Sequence, residues 1–98
     1  MTEESLYIVT YDIADDKRWR AIFKLMNGYG EWLQLSVFQC RLTRARHIEL
    51  MARLSEAMSM TQDHIMVIDL GSAHALKPRV QSLGKRGFEP IERLPIIV

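Results

Sequence analysis

Leu6-Tyr-Ile-Val-Thr-Tyr11 is a short run of β-branched and aromatic residues, nearly apolar on both faces, and it stops at Asp12-Ile13. A run of this kind belongs in the middle of a sheet, where both surfaces are covered. Just beyond it, Asp15 or Asp16 can cap a helix in which Trp19, Ile22, Phe23, Met26 and Tyr29 recur at helical spacing until Gly28 and Gly30 stop it. Lys17, Arg20, Lys24 and Asn27 follow the same period on the opposite side, so the outer face of this helix is basic.

Residues 31–42 read as strand, either one long bent strand or two short ones broken near Ser36. Thr43 can cap a second helix over residues 44–58, with Ile48, Met51, Leu54 and Met58 facing inward and Arg46, Glu49, Arg53 and Glu56 on its polar face. Residues 62–70 form another apolar strand closed by Gly71, and residues 73–89 read as loop. The order predicts a single α+β domain over residues 1–98, a ferredoxin-like antiparallel sheet with two helices on one face. The other sheet face is then uncovered, and Pro95-Ile-Ile-Val98 is too apolar to dangle in water. Both point to a homodimer in which residues 90–98 form an extra C-terminal strand on the partner's sheet edge.

Composition narrows the class. Of 98 residues, 48% are hydrophobic and 26% charged, the balance of a folded globular domain rather than a disordered chain. No apolar stretch approaches the roughly 18 to 20 residues of a membrane span. The first residues lack the basic region and apolar core of a secretory signal, so a cytoplasmic location is expected. The single cysteine, Cys40, excludes an intrachain disulfide and a multi-thiolate zinc site, and reads as a buried small hydrophobe. The net charge is only +1, but seven of the thirteen basic residues fall between Lys17 and Arg46 with one acid, Glu31, among them. Nine of the thirteen are arginine, whose planar fork matches phosphate oxygens, and this leans toward an anionic partner.

The chemistry-bearing position is Asp12, a carboxylate at the C-terminal end of the central strand. From spacing alone, the simpler role of capping a turn or the following helix carries more weight. Magnesium wants six oxygens, usually from one or two carboxylates, water and substrate phosphates, so one Asp per chain falls short. A two-fold axis could bring two copies of Asp12 toward one ion that activates water or polarises a phosphodiester. His47, His64 and His74 have no metal-ligand spacing, no nucleophile–base pair is visible, and no phosphate-binding glycine loop occurs. Trp32 and Phe38 share a face under a period of two, where they either stack on bases or, as is commoner, fill a core or interface.

Tyr11-Asp12-Ile13, then Asp15-Asp16 with Arg18 and Arg20, then Gln34-Leu-Ser-Val-Phe38, and finally Asp63-His-Ile-Met-Val-Ile68 resemble the Cas2 family of CRISPR-associated proteins over most of residues 5–70. The resemblance implies a ferredoxin-like homodimer in spacer acquisition, bridging the Cas1 integrase and supporting duplex DNA. It also implies endonuclease activity on RNA or DNA that depends on Mg²⁺ or Mn²⁺. The family's metal and catalytic aspartate falls on Asp12, and Tyr11, Ser36 and Phe38 occupy its other motif positions, which lifts the metal reading of Asp12 above the capping one. Lys17, Arg18, Arg20, Lys24, Arg44, Arg46, Lys77 and Arg79 are then the expected nucleic-acid contacts. Trp32 stands where the family commonly has arginine and Gln39 where an acid often follows, departures that bear on catalysis more than on DNA binding. The competing functions are a related toxin-type ribonuclease and a non-catalytic ferredoxin-like regulatory domain.

Overall fold

The apolar run of residues 6–11 lies in β1 (Glu4–Asp12), and the pleat sends alternate side chains to opposite faces. A computed structural model describes residues 3–84 of the chain; the expected C-terminal strand at residues 90–98 lies outside them. After β1 come α1 (Asp16–Asn27), β2 (Glu31–Gln34), β3 (Val37–Thr43), α2 (Arg44–Ala57) and β4 (His64–Ser72). The strands form one antiparallel sheet in the order β2-β3-β1-β4, so β1 is interior as its sequence requires. Each helix bridges two strands that have a third between them, which is the ferredoxin-like arrangement.

Tyr7, Val9 and Tyr11 of β1 are buried beneath the helices with Phe38, Cys40 and Leu42 of β3. They meet Ile22 and Met26 from α1 and Leu50 and Leu54 from α2. On the reverse face Leu6 is buried where the chain returns after β4, with the Ala73 amide donating to the Glu4 carbonyl at 2.8 Å. The rest of that face is open: Met66 and Ile68, opposite Thr10 and Ile8, are 48% and 41% exposed.

Both helices begin on the expected caps. The Asp15 carboxylate accepts from the Arg18 amide at 2.9 Å, and the Thr43 hydroxyl accepts from the Arg46 amide at 3.2 Å. Such caps are each worth about 1 kcal/mol.

Two local expectations are corrected, and one left open is decided. Ile48 does not face inward; it is 57% exposed, and the buried stripe of α2 runs through Leu50 and Leu54 with Met51 and Met58 partly covered. The inward stripe runs through His47, whose ring stacks on Tyr7 at 4.5 Å between centroids, Leu50 and Leu54 at helical spacing, and the neighbouring Ile48 falls off that stripe toward solvent. Of the two readings of residues 31–42, the one with two short strands broken near Ser36 is the one that forms. Leu35 and Ser36 form a two-residue turn, and Leu35 has φ +40° at a position tight hairpins normally give to glycine. Trp32 and Phe38 are therefore cross-strand partners, not neighbours along one strand. Finally, β4 starts at His64 and runs through Gly71, whose φ of +100° accompanies the register shift opposite Leu6 and Tyr7.

Candidate functional site

Asp12 is the last residue of β1 and pairs in the ladder with His64. Alternation places Tyr11 under the helices and Asp12 on the opposite, open face. The Asp12 side chain is exposed and makes no hydrogen bond or ion pair among the described residues. Its carboxylate is thus available as a hard oxygen ligand, of the type magnesium and manganese take. Among the described residues, no three histidine, cysteine, aspartate or glutamate side chains gather into a metal-binding group. A single chain offers one carboxylate there, which fits a metal only if further oxygens come from a second copy, a phosphodiester or water.

The other expected catalytic residues face the helix layer. Tyr11 is buried against Phe38 and Trp19, with its ring 6.3 Å from each. Its hydroxyl has no hydrogen-bond partner among the described residues, and burial pushes its pKa up to about 12. Ser36 accepts a hydrogen bond from Trp19 Nε1 at 2.8 Å, while its carbonyl accepts from the Tyr11 amide at 3.1 Å. Phe38 is fully buried, edge-on to Phe23 at 5.6 Å. It can support the site but cannot touch a base. Trp32 is likewise engaged internally, edge-on to Phe23 with Nε1 donating to the Leu35 carbonyl at 2.8 Å. Asp12 therefore stands apart from Tyr11, Ser36 and Phe38.

Arg18 is bound within the fold. Its Nε donates to Asp63 Oδ2 at 2.8 Å, and Nη2 donates to Asp63 Oδ1 at 3.1 Å and Gln62 Oε1 at 3.0 Å. Asp63 has no exposed side-chain surface, and it also accepts from the amides of Ala14 and Ser59 at 2.9 and 2.8 Å. The Arg18 guanidinium, helped by these amides, holds the Asp63 carboxyl well below the usual carboxylate range. The same hydrogen bond raises the Arg18 pKa. Nothing in local spacing marks Asp63, because Arg18 lies 45 residues and Ala14 49 residues away in the chain.

The remaining basic residues divide by position. Lys17, Arg20 and Lys24 are exposed along the outer face of α1. Arg46 lies 4.2 Å over the Tyr29 ring, donates to the Gly28 carbonyl and pairs with Glu49, which also holds Arg53. With Lys24 these residues line an open groove between the helices. Arg44, Lys77 and Arg79 are exposed elsewhere. Cys40 is buried, and burial pushes its thiol up to about 12. No helix among the described residues is long and apolar enough to cross a membrane.

Residues 5–77 match the family model for CRISPR associated protein Cas2. The chain is 53% identical to the CRISPR-associated endoribonuclease Cas2 of Geobacter sulfurreducens, covering 97% of this chain and 99% of that protein. It is 50% identical to a CRISPR-associated endoribonuclease Cas2 of Rhodospirillum rubrum, with 97% and 92% covered. Among solved structures, Streptococcus pyogenes Cas2 at pH 6.5 superposes with a TM-score of 0.70 at 33% identity, over 81% of this chain and 99% of that one. With the motif order, the fold and these relatives in agreement, the chain belongs to the Cas2 family of CRISPR-associated proteins.

Proposed function

We propose that this chain acts as a homodimer in spacer acquisition, supporting duplex DNA beside the Cas1 integrase in the cytoplasm, and that it carries a metal-dependent phosphodiesterase site at Asp12. The observation that carries this reading is the pairing of an exposed carboxylate, without a partner among the described residues, with an open apolar sheet face at the same side of β1. Stacking two such faces would cover Met66 and Ile68 and carry two Asp12 side chains into one assembly. Mg²⁺ or Mn²⁺, when bound, would supply a polarised phosphoryl oxygen or an activated water. Asp12 from each subunit would hold the ion, while Lys17, Arg20 and Lys24 on α1 engage backbone phosphates. Arg44, Arg46, Lys77 and Arg79 extend the basic surface. The relatives named endoribonucleases make RNA a substrate to test alongside DNA.

The test is cleavage of single-stranded RNA and duplex DNA with and without Mg²⁺, comparing the natural protein with Asp12→Ala. Cleavage should require the metal and vanish in the variant, while dimerisation and Cas1-dependent integration persist. An Asp12→Ala protein that still cleaves would remove Asp12 from the site. Sedimentation of the natural chain as a monomer at micromolar concentration would remove the two-fold arrangement. Duplex binding should weaken steeply with salt, each lost phosphate contact lowering the slope of log affinity against log salt by about 0.9.

A further inference from the structure

Three residues separate β1 from α1, and the Asp12 carboxylate stands where this short link begins. Its backbone is fixed on one side by the ladder partner His64. On the other side, the Ala14 amide is anchored to Asp63, the residue directly before His64. The two oxygens of Asp63 accept from the Ala14 amide, the Ser59 amide, and Arg18 Nε and Nη2, all within 3.1 Å. One buried carboxylate thus ties together the link after Asp12, the first turn of α1 and the loop between α2 and β4. These contacts also neutralise Arg18 and aim its fork inward, whereas Arg20, two residues on, is exposed and makes no ion pair among the described residues.

We propose that Asp63 is a positioning residue for the Asp12 site, setting where that carboxylate stands, and that Arg18 belongs to this clamp instead of contacting phosphate. The inference rests on the metal-dependent reading of Asp12 above. Its chemistry is specific to an anion at this position. Asparagine has nearly the same shape, but its amide nitrogen would face N–H donors, so two of the four bonds become donor against donor whichever way the amide is turned. Outer contacts that orient a metal ligand typically change metal affinity or turnover by 10- to 100-fold when removed.

The experiment compares the natural protein with Asp63→Asn, Arg18→Gln and Arg20→Gln, each checked for folding and dimerisation by circular dichroism and sedimentation. Mn²⁺ affinity is read from water-proton relaxation, cleavage as separate kcat and KM, and duplex binding as a salt slope. Asp63→Asn should lower Mn²⁺ affinity and kcat by about tenfold or more with KM unchanged. Arg18→Gln should leave the salt slope unaltered, whereas Arg20→Gln should reduce it by about 0.9. If Asp63→Asn does not fold, Arg18→Met carries the test, since it keeps both backbone bonds to Asp63. It should lower Mn²⁺ affinity and kcat in the same direction with an unchanged slope.

A folded Asp63→Asn dimer with natural Mn²⁺ affinity and kcat overturns the positioning role. Arg18→Gln lowering the slope as much as Arg20→Gln returns Arg18 to the phosphates and overturns the clamp. A natural protein that neither cleaves nor binds Mn²⁺ through Asp12 instead overturns the reading on which the inference rests.

Discussion

Gly30 packs so closely on Cys40 that a methyl group there would strike Sγ and lie 2.5 Å from the Gln39 carbonyl oxygen. The obstruction includes backbone of β3, which cannot swing aside as a flexible side chain can. Gly30→Ala should therefore destabilise the protein by about 1–3 kcal/mol or more, as overpacking does, measured by urea unfolding. Gly71→Ala meets no atom of the described residues within 4 Å, yet its φ of +100° should make that substitution unfavourable through backbone strain alone. A neutral Gly30→Ala would mean that β2 does not enter the sheet at this distance.

The Tyr11 hydroxyl is buried without a partner among the described residues, so Tyr11→Phe removes a desolvated polar group and keeps the ring against Phe38 and Trp19. Stability should rise by about 1–3 kcal/mol in urea titration. If Asp12 acts without the phenol, nuclease activity should survive the change. Loss of activity with unchanged stability would place the hydroxyl in the reaction.

With its thiol pushed up to about 12 by burial, Cys40 carries almost no thiolate at neutral pH. A disulfide reagent at pH 8 should leave it unmodified in the folded protein and react within seconds once urea is added. Rapid labelling of the folded chain would show that the core opens around β3.

Acid stability should report on Asp63. Its folded-state pKa is depressed by Arg18 and the two amides, so the stabilisation is complete above the unfolded value of about 3.9. It is lost as pH falls from there toward the lower folded value. Thermal melts should therefore drop more steeply below about pH 4 for the natural protein than for Asp63→Asn, which should be less stable at pH 7. Parallel melting curves for the two would show that the ion pair does not stabilise the fold.

The elements of this fold are written in local patterns. The central strand, the Asp15 and Thr43 caps and the apolar stripe of α1 each depend on residues within a few positions of one another. What escaped depends on contacts made across the chain. His47, not Ile48, lies on the inward stripe of α2, its ring stacked on Tyr7 forty residues earlier. The break at Ser36 could be placed, but not the left-handed Leu35 that makes it a hairpin, since leucine is a poor marker of such a turn. Within the site, Asp12 stood out by its place at a strand end. The inward aim of Arg18 did not, because Asp63 lies too far along the chain for any spacing to betray it.

Both tryptophans serve the same turn, Trp19 through the Ser36 hydroxyl and Trp32 through the Leu35 carbonyl, and both rings pack on Phe23. Indole emission from this protein is consequently a report from one corner of the molecule. It follows the hairpin and its seat on α1, while α2 and β4 contribute no chromophore of that kind. An unfolding curve recorded by fluorescence alone would be silent about half the fold, and its disagreement with a whole-backbone signal would measure how far the two halves come apart separately.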